Sequence, residues 1–211
     1  MLSPSPVDHY AHLARFYDWI VEPVFRPLRL EIRDWVLSRS PERVLDICCG
    51  TGRQIRYFPE DAPIVGLDLS PDMLRQAARQ VPGKCIRGDA IRLPFPEDTF
   101  DVVISELALH EKPLATRQQE LAEIARVLRP EGRLLVLDYA VPDTDSWGAR
   151  AVRWGLDQVE RRAGDEHYRH YRTWMEEGGL SAILPRAGWR PVSEQRRFKR
   201  NLASILFERS P

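Results

Sequence analysis

Residues 44–52, Val-Leu-Asp-Ile-Cys-Cys-Gly-Thr-Gly, decide the fold of this 211-residue chain. Val44–Ile47 is apolar apart from Asp46, which predicts a buried strand, and the glycines after it predict a turn that opens a helix. Gly50 and Gly52 permit positive φ and carry no Cβ, so a ligand can lie against the backbone there. Asp46 puts a carboxylate near the end of the strand, where it needs a cationic or hydroxyl partner. The segment therefore predicts a ligand site at the turn.

The turn lacks the third glycine of a dinucleotide site. Ile55 stands where that fingerprint has the glycine that lets helix and strand pack closely beneath a pyrophosphate. Two glycines suit a ligand without phosphate. S-Adenosylmethionine (SAM) is such a ligand, and its ammonium group gives Asp46 a direct or water-bridged partner. A nicotinamide-dependent oxidoreductase remains the alternative enzyme.

A second buried strand ends at Asp68, 22 residues after the acid of the first strand. In nucleoside-binding α/β folds an acid at this place accepts hydrogen bonds from the ribose hydroxyls. Ser70 and Pro71 are typical of an N-cap and of the first position of a helix. Leu69 and Met73 are then expected to flank an adenine.

Two further strands bring polar groups to the same edge of the sheet. Residues 84–90 predict a third strand, whose Asp89 is placed to accept a hydrogen bond from the adenine amino group. Residues 100–105 predict a fourth, which delivers Ser105 and Glu106 beside the glycine turn. Ligands bind at the carboxyl ends of the strands in open α/β folds, so these groups are expected in one site.

The successive motifs resemble those of class I SAM-dependent methyltransferases, in particular the branch with ubiquinone and menaquinone C-methyltransferases and small bacterial phospholipid N-methyltransferases. The resemblance covers residues 40–140 and rests on VLDICCGTG (44–52), GLDLSPDML (66–74), GDAIRLPFPEDTFDVVIS (88–105) and RVLRPEGRLLVLDY (126–139). It implies that SAM is the cofactor, S-adenosylhomocysteine the product and a small molecule the acceptor. The residues it implies for SAM are Asp46, Gly50, Gly52, Asp68, Leu69, Asp89, Ala90 and Ser105.

Three more residues complete the expected cofactor set. Cys48 and Thr51 belong to the turn itself, and residues 10–18 resemble the N-terminal helix of the same branch, which implies that Tyr17 lies near the cofactor. Residues 137–142, LDYAVP, match neither the quinone nor the phospholipid enzymes after the fifth strand. The acceptor, and whether carbon, oxygen or nitrogen is methylated, is therefore left open.

Strands and helices alternate as in a Rossmann-like, doubly wound α/β fold. We expect a seven-stranded sheet, mostly parallel, that ends in an antiparallel hairpin. One methyltransferase domain is expected over residues 1–211: N-terminal helices at 1–40 with interruptions at Pro23 and Pro27, a SAM-binding core at 41–142, a helical substrate cover at 143–185 and the hairpin at 186–211. Residues 115–128 predict an amphipathic helix, and residues 129–132 a stop and a turn before the fifth strand.

The composition is that of an ordinary globular chain, with 43% hydrophobic and 29% charged residues. A formal net charge of zero gives no bulk attraction to nucleic acid. No apolar run suits a signal peptide or a membrane span, so a cytoplasmic protein is expected. Three cysteines make no disulfide framework, and Cys48 and Cys49 are expected to pack as small buried residues. Oligomeric state is left open.

Candidate catalytic residues follow the fourth and fifth strands and lie within the cover. His110 is placed to act as a general base, because an imidazole titrates near neutrality, or else it caps a helix or packs against the cover. Tyr139 ends the fifth strand, and His167 belongs to the polar run 165–171. No metal is expected, because no pair of histidines has the i, i+4 spacing of a zinc motif.

Trp147 and Trp154 fall on one stripe of a predicted helix, bordered by arginines at 150, 153, 161 and 162. We expect these tryptophans to pack onto the core beneath the cover. Peripheral contact with a membrane surface is the alternative, since basic helices with tryptophan lie in the interface. A non-catalytic scaffold that activates a partner subunit remains the rival from another functional class, although such scaffolds often lose the glycine turn or the ribose acid.

Overall fold

The computed structural model describes residues 25–209, so the predictions for Tyr17 and Pro23 lie outside the described residues. The strands are β1 (Val44–Ile47), β2 (Ile64–Asp68), β3 (Cys85–Arg87), β4 (Phe100–Glu106), β5 (Leu128–Tyr139), β6 (Trp189–Arg197) and β7 (Leu202–Arg209). The helices are α1 (25–37), α2 (Pro71–Gln80), α3 (Leu114–Val127), α4 (Trp147–Arg162), α5 (Asp165–Glu176) and α6 (Leu180–Arg186).

The seven strands form one sheet in the order β3-β2-β1-β4-β5-β7-β6. The first five strands run parallel, and β7 pairs antiparallel with both β5 and β6. The predicted doubly wound α/β sheet with an antiparallel C-terminal hairpin is therefore confirmed. The strand order reverses between β1 and β4, and this switch point is where open α/β sheets bind ligands.

The central strands are apolar because helices cover both faces of a parallel sheet. All four residues of β1 are buried, and the second half of β5, from Leu134 to Tyr139, is buried throughout. The helix α3 turns Leu121, Ile124 and Val127 toward this core, as its spacing predicts. The helix α2 begins as predicted, with Ser70 as N-cap accepting a hydrogen bond from the Met73 N–H.

The predicted helix after the glycine turn is wrong. Only a single 3₁₀ turn, Ile55–Tyr57, follows the turn. Six residues separate Gly52 from Pro59, which is too short a stretch for a stable α-helix. The third strand is also shorter than the predicted 84–90, since it ends at Arg87 and Asp89 enters a turn in which its side chain accepts from the Ile91 N–H.

The turn predicted at residues 129–132 is wrong as well. The strand β5 starts directly after α3, and its register against β4 shifts there: Phe100 pairs with Leu128, whereas Val102 pairs with Arg133. The extra residues form an irregularity inside the strand, where Pro130 is tolerated because bulges do not need every N–H. The predicted interruption at Pro27 is wrong too, since residues 25–37 form one helix.

Candidate functional site

The glycine turn after β1 has the backbone shape that its sequence predicts. Gly50 and Gly52 both have positive φ, at 54° and 76°. A Cβ on Gly52 would lie 2.6 Å from Cγ2 of Val81, so this glycine lets the turn pack against the end of α2. A Cβ on Gly50 would meet no atom of residues 25–209 within 4 Å. Gly52 is thus needed for packing, whereas Gly50 presents open backbone at the switch point.

Asp46 is a buried carboxylate with an unsatisfied oxygen. Its side chain belongs to a residue only 2% exposed, and its Oδ2 atom has no hydrogen-bond partner among the described residues. Burial, together with the negative charge of Glu106, raises the pKa of the Asp46 carboxyl well above its usual range. A buried group in this state needs a donor or a cation.

Asp68 holds the turn together at the end of β2. Its Oδ2 accepts from the Gly50 N–H at 2.7 Å, and its Oδ1 accepts from the Ser70 N–H at 2.8 Å. Burial raises the pKa of Asp68, although these backbone N–H groups oppose the shift. A carboxylate has about four lone-pair sites, so Asp68 keeps acceptor capacity for hydroxyls.

The other predicted cofactor residues differ in their exposure to solvent. Leu69 is 47% exposed and Asp89 is exposed, whereas Met73 is half-buried. Ala90 and Thr51 are buried. The surface beyond the turn therefore offers both apolar contact and a carboxylate.

Ser105 and Cys48 differ in burial, since Ser105 is buried and Cys48 is half-buried. Ser105 is fully buried, and its Oγ has no hydrogen-bond partner among the described residues. It pairs with Ile47, one register position beyond Asp46, so the two side chains leave opposite faces of the sheet. The Cys48 Sγ accepts from Lys112 Nζ at 3.1 Å, so this cysteine has a polar contact that the sequence did not predict.

Near Asp46 lies an ion pair that the sequence analysis did not predict. Arg29, on α1, contacts Glu106 with Nη2 to Oε1 at 2.7 Å, and both side chains are nearly buried. Gln54 Nε2 donates to the Arg29 carbonyl at 3.1 Å, which ties α1 to the glycine turn. No sequence signal singles out Arg29 among 28 arginines.

A second polar cluster lies at the same edge of the sheet, under α4 and α5. His110 is buried, and its Nδ1 lies 2.7 Å from Oδ1 of Asp138, at the end of β5. The other oxygen of Asp138 accepts from the N–H groups of Leu109 and His110. Burial lowers the pKa of His110, but the charges and hydrogen bonds of Asp138 and Glu160 outweigh it and raise that pKa well above its usual value.

Glu160 joins the predicted catalytic residues into one cluster. Its Oε1 accepts from the Tyr139 hydroxyl at 2.5 Å, and its Oε2 lies 3.5 Å from His110 Nε2 and contacts His167 Nε2 directly. Burial opposes the charged form, yet hydrogen bonds from both histidines hold the pKa of Glu160 well below its usual range. Sequence reasoning missed Glu160 because only the docking of α4 brings it to the sheet edge.

His170 does not join this cluster. It lies on a more exposed side of α5, with Nε2 3.9 Å from Oε1 of Glu166. His167 reaches toward Glu111 instead, with Nδ1 3.6 Å from Oε2. The structure thus brings together His110, Tyr139 and His167, and it separates His170 from them.

The expected packing of the two tryptophans is wrong. Trp147 is 86% exposed and Trp154 is 69% exposed, although they share one side of α4. The inward side of the same helix is occupied by Ala149 and Glu160. None of the helices in residues 25–209 combines the length and apolar character needed to cross a membrane.

Known proteins resemble the chain over this core. The family described as "Methyltransferase domain" matches residues 45–136. A demethylmenaquinone methyltransferase of Thermus thermophilus is 36% identical over 123 residues, which cover 54% of this chain and 55% of that protein. One of Beutenbergia cavernae is 32% identical over 169 residues, which cover 74% and 68%. The chain thus matches about half to two thirds of the length of these curated relatives.

Solved structures share the fold. The 1,6-didemethyltoxoflavin-N1-methyltransferase of Burkholderia thailandensis was solved with bound 1,6-didemethyltoxoflavin and S-adenosylhomocysteine. It superposes with a TM-score of 0.60 at 19% identity, over 100% of this chain and 92% of that one. A SAM-dependent methyltransferase of Aquifex aeolicus gives a TM-score of 0.58 at 19% identity, over 98% of each chain.

Proposed function

We propose the function of this chain from one premise: it belongs to the class I SAM-dependent methyltransferases, and SAM is its cofactor. The proposed reaction transfers the methyl group of SAM to a small, lipophilic acceptor and releases S-adenosylhomocysteine. The observation that carries the proposal is the glycine turn at the switch point, where Gly50 leaves the backbone open and Asp46 carries an unsatisfied buried oxygen.

The residues at the turn fit SAM by their chemistry. The Asp46 carboxylate suits the ammonium group, and the remaining lone pairs of Asp68 suit the ribose hydroxyls. The exposed Leu69 and the half-buried Met73 are proposed to contact the adenine. The remaining proposed contacts are Cys48, Thr51, Gly52, Asp89, Ala90 and Ser105.

SAM supplies a methyl group that its sulfonium has already activated. The chain's own work is therefore to position the acceptor in line and to exclude water. We assign the exclusion of water to residues 143–185, the proposed cover above the core at 41–142. His110 and Tyr139 contact Glu160 of this cover, and His167 belongs to the cover and contacts the same carboxylate. We propose that these three residues act on the acceptor side.

A lipophilic acceptor has two lines of support. The similar proteins of Thermus thermophilus and Beutenbergia cavernae are named for demethylmenaquinone, an apolar quinone. Trp147 and Trp154 also form an exposed aromatic face on α4, with exposed arginines at positions 150, 153, 161 and 162. Such a basic aromatic helix suits contact with an anionic membrane surface. The retained glycine turn and ribose acid favour an enzyme over a non-catalytic scaffold.

Label transfer tests the reaction and the acceptor class together. The purified chain is incubated with methyl-labelled SAM and liposomes that carry demethylmenaquinone, or with a membrane extract of the host. We expect label in the organic phase. Label that appears only in aqueous products would refute the lipophilic acceptor, and a lack of transfer to either substrate would contradict methyl transfer to such acceptors.

Variants test the acceptor-side residues. His110→Ala and His167→Ala are expected to lower turnover at least tenfold while SAM affinity, measured by calorimetry, stays within about twofold of wild type. His170→Ala is the matched control, because His170 lies on the same helix but outside the cluster. Unchanged turnover in both test variants would overturn the assignment.

A further inference from the structure

We propose that His110, Glu160 and His167 form a binding site for one divalent transition-metal ion. One ligand atom from each of these three side chains lies within 4.8 Å of a ligand atom from each of the other two. The three side chains are at least nine-tenths buried. They come from the loop after β4, the end of α4 and the start of α5, which is why no sequence spacing predicted them. The site stands independently of the proposed methyl transfer.

The separations suit a common metal ion. Ligand atoms about 2.0–2.1 Å from a tetrahedral zinc are about 3.3 Å apart. His110 Nε2 and Glu160 Oε2 are 3.5 Å apart, so this pair needs almost no movement. His167 Nε2 and Glu160 Oε2 are in direct contact, so these two atoms must move apart to admit an ion.

The second nitrogen or oxygen atom of each proposed ligand lies near a polar group of a neighbouring residue. Asp138 Oδ1 lies 2.7 Å from His110 Nδ1, and the Tyr139 hydroxyl donates to Glu160 Oε1 at 2.5 Å. Glu111 Oε2 lies 3.6 Å from His167 Nδ1. Metal-binding histidines and carboxylates typically have such outer partners, which fix the tautomer and aim the ligand atom. Both Nε2 atoms are thereby turned toward the same carboxylate.

The donor set narrows the class of ion. Two imidazoles and one carboxylate suit Zn²⁺ and Fe²⁺ rather than Ca²⁺ or Mg²⁺, which prefer oxygen ligands. Three protein ligands leave at least one position open, as in catalytic rather than structural zinc sites. If the proposed methyl transfer also holds, an oxygen of the acceptor can occupy that position.

Metal analysis of the purified chain tests the site directly. The protein is stripped with a chelator, dialysed against Zn²⁺ and then against metal-free buffer, and analysed by mass spectrometry for zinc. We expect one zinc per chain and a higher melting temperature than that of the stripped protein. Less than 0.2 zinc per wild-type chain would overturn the proposal, whatever the methyltransferase assays give.

Variants locate the ion. Glu160→Gln and His167→Ala are expected to retain less than a fifth of the wild-type zinc, whereas His170→Ala retains all of it. Substitution with Co²⁺ adds a readout that does not depend on folding stability: an imidazole and carboxylate site gives visible d–d bands without a thiolate charge-transfer band. Equal zinc in Glu160→Gln and wild type would place the ion outside this cluster, and a thiolate band would place it on cysteine. Either result would contradict the proposal.

Discussion

The change Gly50→Ala separates the binding role of the glycine turn from its structural role. Gly50 has a φ of 54°, and within the described part of the chain a Cβ placed on it would meet no atom within 4 Å. The folded chain therefore bears only the cost of the left-handed backbone, about 1–2 kcal/mol for a non-glycine residue. The new methyl group would instead occupy the space from which SAM approaches the backbone.

Gly83→Ala is the matched control for this backbone cost. Gly83 has a φ of 73° and lies between α2 and β3, outside the proposed site. Its Cβ would likewise meet no atom of the described residues within 4 Å. Both variants should lose the same free energy of unfolding, about 1–2 kcal/mol, measured by urea denaturation.

Only Gly50→Ala should lose affinity for SAM. Overpacking by one methyl group costs about 1–3 kcal/mol, which corresponds to a loss of roughly five- to 150-fold in affinity. Calorimetric titration of both variants with SAM measures the difference. If Gly50→Ala binds SAM as tightly as Gly83→Ala does, the backbone at Gly50 does not face the cofactor and the reasoning is refuted.

Three other predictions concern the same region. Gly52→Ala should lower the free energy of unfolding by about 2–4 kcal/mol, because the new Cβ adds a clash with Val81 to the cost of the left-handed backbone. A loss of about 1 kcal/mol or less, measured by urea denaturation, would contradict this packing. Asp46→Asn should stabilise the unliganded chain at pH 8, because burial raises the pKa of Asp46, and the gain should shrink as the pH falls toward about 3.9, the ordinary value in an unfolded chain. Urea denaturation at pH 5 and pH 8 measures this gain, and equal gains would refute the assignment. Arg29→Met should cost about 3–5 kcal/mol by leaving Glu106 unpaired, whereas Arg33→Met, at a more exposed pair, should cost less than about 1 kcal/mol; similar losses would speak against a buried pair.

Local sequence was enough to predict the sheet and the turn. Apolar runs that contain Asp46 and Asp68 near their carboxyl ends predict buried strands whose acids have a partner, because a buried carboxylate is costly without one. The pair Ser70-Pro71 was likewise enough to predict where α2 begins, because an N-cap hydrogen bond involves only neighbouring residues.

Features that depend on tertiary docking could not be predicted in this way. In the sequence, nothing distinguishes Glu160 from the other charged residues of α4. Only the docking of that helix brings its carboxylate to Tyr139 and His110. The exposure of Trp147 has the same origin, since α4 turns Ala149 inward instead. Hydrophobic character alone does not say which side of a helix a fold will bury.

A crystal structure of the chain with S-adenosylhomocysteine tests the central claim most directly. We predict that the ligand lies across the glycine turn, with its ribose hydroxyls within hydrogen-bond distance of Asp68 and its amino group near Asp46. Density for the ligand at any other edge of the sheet, or a ribose without contact to Asp68, would contradict it.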